Sequence, residues 1–361
     1  ALFNAAVAFE KSMRFDSATK TYERVYQEYP KSTLAGEAVW LSAENHKRFF
    51  QFGKAVKSYL ILADLPRFAK NKHRNESIYT AANILEYDQD YARSAQLFLR
   101  YANQPGVKRE EAAEAYFRAA RIYEKMNNFS KMVKLMRDFP NKYGSVKGQK
   151  ARAVEALYRV AKGAEKRKMW NTAKKYFQQT VQEFSIRRLP GGGAAAEFAA
   201  EAKFRLLEKD LEKFLKRQCS KLSLKRLTAC EKRVGAAAVN VKKEFTQIFK
   251  YQRARWSLAA MYRHGSIYEH FAKVVSEGYR TTPVPRKLKR LGQEAIDMYQ
   301  DQVAAALEKK LRPIEDEAKK LFKLCVDKAR SLGISNKYTE AAARRLNALD
   351  PAEDDHGPVD D

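Results

Sequence analysis

Metal or nucleophilic chemistry in this chain would have to be built from five histidines and three cysteines. Their spacing builds neither. His46, His73, His264, His270 and His356 contain no His-Glu-x-x-His arrangement, which would set two imidazoles one turn apart on a helix face. His264 and His270 are six residues apart and share a helix face poorly. His46 falls in an apolar helical column and reads as a packed, satisfied side chain. No Gly-x-Ser-x-Gly elbow, phosphate-cradling loop or dinucleotide fingerprint occurs. The many carboxylates lie on charged helical stretches, where they serve as solvated faces or as i,i+4 partners of lysine. No catalytic residue, metal site or cofactor is therefore expected, and the chain does not read as an enzyme. Cys325, in an apolar stripe, reads as a small core residue. Cys219 and Cys230 flank SKLSLKRLTA; on one straight helix they would stand about 16 Å apart, too far for a bridge, whereas across a helical hairpin they could pair. A disulfide and two separate thiols both stay open, and the compartment with them.

What remains is charge. The 361 residues hold 70 Lys and Arg against 43 Asp and Glu, a net +27. Residues 1–100 contribute +4, residues 101–300 contribute +25, and residues 301–361 contribute −2. Such a surface favours an anionic partner: an acidic protein segment, lipid head groups, cell-wall polymer or nucleic acid. The plainer reading is a solubilising surface. Its densest stretch holds Lys216, Arg217, Lys221, Lys225, Arg226, Lys232 and Arg233, with Lys213 and Lys242 at its edges. Leu222, Leu224 and Leu227 interleave, so the stretch reads either as an anionic-membrane contact or as a solvated hairpin tip. RKLKR at 286–290 carries the same two readings.

The elements that must carry these groups are helices. Only 15 Gly and 10 Pro occur, and 45% of residues are hydrophobic, enough to bury a core; collagen, disulfide-miniprotein and disordered classes are excluded. No run of 18 apolar residues is present, so no transmembrane helix is expected. The chain opens on ALFNAAVAFE, already in helical pattern, and reads as the interior of a longer protein.

A repeat governs the first half. Phe15, Phe52, Tyr91, Phe129 and Trp170 recur at intervals of 37, 39, 38 and 41. Three residues after each come Ala18, Ala55, Ser94, Met132 and Ala173, and four later Tyr22, Tyr59, Phe98, Met136 and Phe177. Nine before each aromatic stands alanine: Ala6, Ala43, Ala82, Ala120 and Ala161. Leu2, Val39, Ile78, Tyr116 and Leu157 precede those alanines by four. Small residues let one helix approach a second, the aromatic fills the gap, and Pro30, Pro66, Pro105 and Pro140 are expected to end the second helix. Units that each leave one face apolar must stack into a solenoid.

This pattern resembles the tetratricopeptide repeat over residues 1–187, with its usual period of about 34 lengthened by a few loop residues. The resemblance implies an all-α, TPR-type α-solenoid of helix pairs, a right-handed superhelix, that binds protein partners. The fourth unit departs, with Met132 and Met136 for the small residue and the aromatic, and looser packing is expected there. In such arrays the first (A) helix of each pair lines a concave groove. The positions implied to face it are Phe3, Trp40, Tyr79, Phe117 and Tyr158. Next to them fall Glu44, Asn83, Arg121 and Lys162, then Arg118 and Arg159, then Lys125 and Lys166. An aromatic ladder with a cationic end would hold an extended or acidic segment of a protein. The alternative is that the rings pack against neighbouring helices.

Leu189-Pro190-Gly191-Gly192-Gly193 closes the array at 1–189, and 190–193 reads as a flexible linker. Residues 194–350 read as long helices. They cover 194–218, 222–250, 252–276 and 286–310; another starts at Pro313 and ends at Gly333, and 336–349 forms a cap. Met261, His264, Gly265 and Tyr268 with Ala318, Phe322 and Cys325 suggest a sixth, interrupted repeat. Residues 351–361 read as an acidic disordered tail. The segment 256–351, through TPVP and the run from Ala306 to Pro351, is similar to the C-terminal part of large TPR proteins of myxobacteria and related predatory bacteria. That resemblance implies a scaffold in an envelope or gliding-motility assembly, periplasmic or envelope-associated, with a cytoplasmic location the alternative. Nucleic-acid or anionic-surface binding through residues 101–300 is the competing function; the variable polar position in each repeat argues against a base-reading code.

Overall fold

The structure, a computed structural model, describes residues 1–349. Among them every regular element is helical. Five helix pairs come first: α1 (Leu2–Lys11) with α2 (Phe15–Glu28), α3 (Ala35–Arg48) with α4 (Phe52–Asp64), and α5 (Arg74–Tyr87) with α6 (Tyr91–Ala102). Then follow α7 (Arg109–Lys125) with α8 (Phe129–Tyr143), and α9 (Lys150–Lys166) with α10 (Trp170–Ile186). All five column aromatics are the first residue of a helix. Two residues before each, Met13, Phe50, Gln89, Asn127 and Lys168 take a left-handed backbone near φ +60°. That reversal ends each A helix: Arg14, Gln51, Asn128 and Met169 donate their N–H back to Phe9, His46, Tyr123 and Ala164.

The chain forms two compact units, Ala1–Gly163 and Ala164–Asp361. The division falls inside α9, not at the glycine run. In the first unit each helix from α1 to α8 packs on the next. Ala6 meets Ala18, Tyr22 and Val25 in one core, and Ala43 meets Ala55 and Tyr59 in another. These alanines and both tyrosines are fully buried. A fully buried aromatic of this kind stabilises by about 1.5–3 kcal/mol over leaving it exposed. Met132 and Met136 are equally buried, so the fourth unit is not slack; the unbranched thioethers fill the space. Pro140 does not end its helix. α8 continues to Tyr143, whose buried ring packs on Phe139 and Tyr116.

The second unit adds α11 (Ala194–Phe214), α12 (Leu224–Thr246), α13 (Ala254–Arg280), the single turn α14 (Arg286–Lys289), α15 (Gln293–Leu332) and α16 (Lys337–Leu349). Glycines 191–193 are pinned within this unit. Gly192 N–H donates to Tyr251 O at 2.9 Å, Arg253 Nη1 donates to Gly192 O at 2.8 Å, and a Cβ on Gly191 would meet Lys250 O at 2.8 Å. Pro313 starts no helix either; it lies inside the 40-residue α15. Leu258 of α13, Ala318, Phe322, Cys325 and Val326 of α15, and Ala342 and Leu346 of α16 share one core. Gly265 faces the Phe322 ring there, the small-on-aromatic contact of the repeats, with the long excursion 281–317 between the two partners. The acidic tail and His356 lie outside the described residues.

Candidate functional site: the A-helix face of the first unit

The A helices α1, α3, α5, α7 and α9 carry the sequence-predicted residues, and the structure treats them unequally. Phe3, Trp40, Tyr79 and Tyr158 are half-buried. Each of the first three leans on the second helix of its own pair: Phe3 on Tyr22 at 5.6 Å, Trp40 on Tyr59 at 5.5 Å, Tyr79 on Tyr101 at 5.0 Å. Trp40 is also stacked on His73, with centroids 4.4 Å apart and planes 4° from parallel. Edge contacts to buried rings hold these aromatics in place while part of their surface stays open. Phe117 departs from the series. It is buried against Phe139 at 5.2 Å, beneath the Arg152 guanidinium, and offers no face to a partner.

The polar positions are already engaged. Glu44 accepts from the Tyr59 hydroxyl and pairs with Lys47 at 2.7 Å. Asn83 donates to Tyr79 O on its own helix at 3.0 Å. Tyr22 donates to Glu10, and Tyr101 to Glu111, each at 2.9 Å. Burial first and these carboxylate bonds second hold the Tyr22, Tyr59 and Tyr101 phenols well above their ordinary pKa, so they act as fixed donors.

The expected cationic end is a ladder of both signs. Arg118 of α7 donates to Glu86 of α5 at 2.7 Å and lies 4.6 Å from the Phe98 centroid. Arg121 pairs with Glu124 at 3.2 Å and with Glu155 at 3.5 Å. Arg159 of α9 pairs with Glu124 at 3.0 Å and Glu155 at 2.6 Å. Lys125 covers the Tyr91 ring at 4.4 Å. The ladder thus joins successive A helices and cancels much of the charge that the sequence pattern assigned to a ligand. Glu86, Glu124 and Glu155 were missed as its members. For Glu86 and Glu124 the one legible signal is recurrence of a carboxylate late in helix A, at Glu10, Glu86, Glu124 and Glu165; Glu155, early in α9, lies outside that column. Of the outlying predicted positions, Lys162 is half-buried, while Lys166, at the end of α9, is exposed.

The other candidates also find places. His46 is buried between Gln51 at 2.8 Å and Glu23 at 3.1 Å, as packing required. Among the described residues no group of three metal-ligating side chains occurs. In the second unit Cys219 and Cys230 are joined, with Cα atoms 5.9 Å apart across the α11–α12 turn. The basic residues Lys216, Arg217, Lys221, Lys225, Arg226, Lys232 and Arg233 are all exposed around that bridge.

The tetratricopeptide repeat family model matches residues 1–32, 114–145 and 155–185. No curated protein matches the chain. Among solved structures, the MamA protein is 14% identical, covering 52% of this chain and 92% of that one, with a TM-score of 0.31. A tetratricopeptide repeat protein from Parabacteroides merdae is 12% identical over 84% of this chain and 97% of its own, TM-score 0.33. The C-terminal part of a TPR repeat-containing protein from Cytophaga hutchinsonii is 11% identical over 82% of this chain and 98% of its own, TM-score 0.35. The chain is all-α and carries tetratricopeptide repeats.

Proposed function

We propose that this chain is a non-enzymatic interaction scaffold whose first unit holds an extended segment of a partner protein along its A helices. The observation that carries the reading is the row of half-open rings at one repeat position: Phe3, Trp40, Tyr79 and Tyr158. Rings such as Phe3, Trp40 and Tyr79, already held against neighbouring rings, need little further ordering on binding, which favours their use as contacts. Because Arg118, Arg121 and Arg159 already pair with carboxylates, the partner segment carries aliphatic or aromatic anchors rather than a run of acids. We place the scaffold in an oxidising compartment, consistent with the envelope setting implied by its C-terminal resemblance; the Cys219–Cys230 bridge supports that location.

A photocrosslinking residue placed at position 40 or 79 in the native cell should give one dominant adduct, mapped to a single peptide of one protein. The double change Trp40→Ala and Tyr79→Ala should abolish the adduct that a crosslinker at position 3 gives with both rings present, while helical content is kept. An adduct of unchanged yield in the double variant refutes the groove.

A further inference from the structure

The second unit has an end where the pairing seen elsewhere stops. Seven exposed cations, Lys216 to Arg233, surround the disulfide, and the one carboxylate in that stretch, Glu231, is taken by Lys310 at 2.7 Å. The Lys221 N–H donates to Thr281 Oγ1 at 2.9 Å, which ties the α11–α12 turn to the end of α13. Five residues later begins RKLKR, so Arg280, Arg286, Lys287, Lys289 and Arg290 follow this end in sequence with no acid between residues 278 and 291. Among the described residues none of these twelve cations has a carboxylate within 4.0 Å, whereas Arg118, Arg121, Arg152 and Arg159 of the first unit are bridged.

Local geometry fixes where the charges point. On α12 the buried residues Leu227, Cys230 and Val234 form the inward face. Lys225 with Lys232 and Arg226 with Arg233 recur at seven-residue spacing on the outward side. Gly278 admits the turn: a Cβ there would stand 2.4 Å from Leu227 Cδ1 and 3.2 Å from Cys219 O. Between turn and α13 lies a cavity of about 260 Å³ lined by Arg217, Ser220, His270 and Lys273, with Glu277 its only acid. His270 Nε2 is buried there without a hydrogen-bond partner. Apolar side chains are exposed among the cations around the bridge: Leu215 at 41% and Leu224 at 42%.

We infer that this disulfide-tied end docks on an anionic phospholipid bilayer, its unpaired cations over the head groups and Leu215 and Leu224 entering the acyl boundary. The cavity between Arg217 and Lys273 has the size and charge for one head-group phosphate. Two features choose lipid over nucleic acid. The rings nearest the bridge, Phe214 and Tyr279, are buried and cannot stack bases, and Trp170, which shares a cleft with Lys213 and Lys216, has Lys209 over its ring at 5.2 Å. Exposed leucines interleaved with basic residues, in contrast, suit an interface between water and acyl chains. The inference is independent of the groove, which lies in the other unit.

The test is vesicle co-sedimentation of the full chain. Phosphatidylglycerol–phosphatidylcholine vesicles should bind it at about 0.15 M salt, and pure phosphatidylcholine should not. Reversing Lys225, Arg226, Lys232 and Arg233 to Glu should weaken binding at least ~100-fold, given about fivefold for each basic residue lost from an anionic surface. A variant with the same charge change in the first unit, at exposed Lys20, Lys54, Lys57 and Lys70, should stay within about threefold of the parent by the same reckoning. Leu215→Ser with Leu224→Ser should weaken vesicle binding about tenfold and leave retention on single-stranded RNA unchanged. Equal losses in the two charge variants would show net charge alone at work and overturn the site. So would a parent that binds RNA but no vesicle, or a charge-reversed tip, helical by circular dichroism, that still binds.

Discussion

Gly265→Ala puts the helix pairing of the second unit to a quantitative test. In the interior of a 27-residue helix, alanine should gain about 1 kcal/mol over glycine from helix propensity alone. At this position the gain is overridden. The added Cβ would stand 2.5, 2.6 and 2.9 Å from three atoms of the Phe322 ring, against an ordinary carbon contact of about 3.5–4.0 Å. The ring would have to retreat by roughly an ångström. It is fully buried among Leu258, Cys325 and Val326, with Tyr262 packed on it at 5.9 Å, and has nowhere to retreat. Overpacking of this kind costs about 1–3 kcal/mol, so the variant should lose up to about 2 kcal/mol net of the helix-propensity gain. Gly53→Ala in α4, with no atom within 4 Å of its Cβ, is the matched control and should gain several tenths of a kcal/mol. Native-state hydrogen exchange reads the amides of α13 and α15 separately from those of α4, so the two effects can be assigned to their units. Adding Phe322→Leu should make the pair cost less than the sum of the single changes, because the clash partner has gone. A Gly265→Ala protein stabilised as much as Gly53→Ala would refute the packing of α13 on α15.

Two more measurements bear on the second unit. His264 is kept neutral by burial first and the Lys242 charge second, which push its pKa down to about 4. The unfolded chain, titrating near 6.5, binds the proton first as pH falls; stability is intact above pH 6.5 and drops by up to about 3 kcal/mol on approaching pH 4. Urea midpoints at pH 7 and 4.5 should therefore differ less for His264→Gln than for the parent, and equal pH dependence in both would count against this account. For the cysteines, alkylation should label no thiol in the native protein, one after unfolding, and three after unfolding with reductant. Burial pushes the Cys325 thiol up to about 12, and the other two are bonded. Two labelled thiols more in the native protein would remove the bridge and, with it, the support for an oxidising compartment.

The repeat was legible because its determinants are local. A column aromatic, an alanine nine residues earlier and an apolar residue seven later sit within two helices, and they located the first residue of α2, α4, α6, α8 and α10. The partners of the cations were not legible. Arg118 reaches 32 residues back to Glu86 and Arg159 reaches 35 back to Glu124, pairings set by how one repeat lies on the next. Spacing within a repeat cannot state that, so paired arginines read as free ones. Phe117 failed for a related reason: its column position matches Trp40, but Phe139 and Arg152 close over it. Prolines misled twice: at Pro140, where burial outweighs a missing N–H, and at Pro313, which is exposed but lies inside the continuous α15. The glycine run misled because close backbone approach and mobility use the same residue.

The length of α15 has a mechanical meaning. At 40 residues it spans about 60 Å. Lys310 lies 5.3 Å from the Tyr279 ring near the end of α13, so Gln293–Lys309 run on past that end for about 25 Å. The inner half is clamped at Ala318, Phe322 and Ala329, and the outer half has no fully buried residue. The helix is thus a cantilever, fixed at its root in the core beside α16. Force at the tip travels to the root along one continuous hydrogen-bond ladder, and Pro313, the rung with no donor, is where the beam bends most easily.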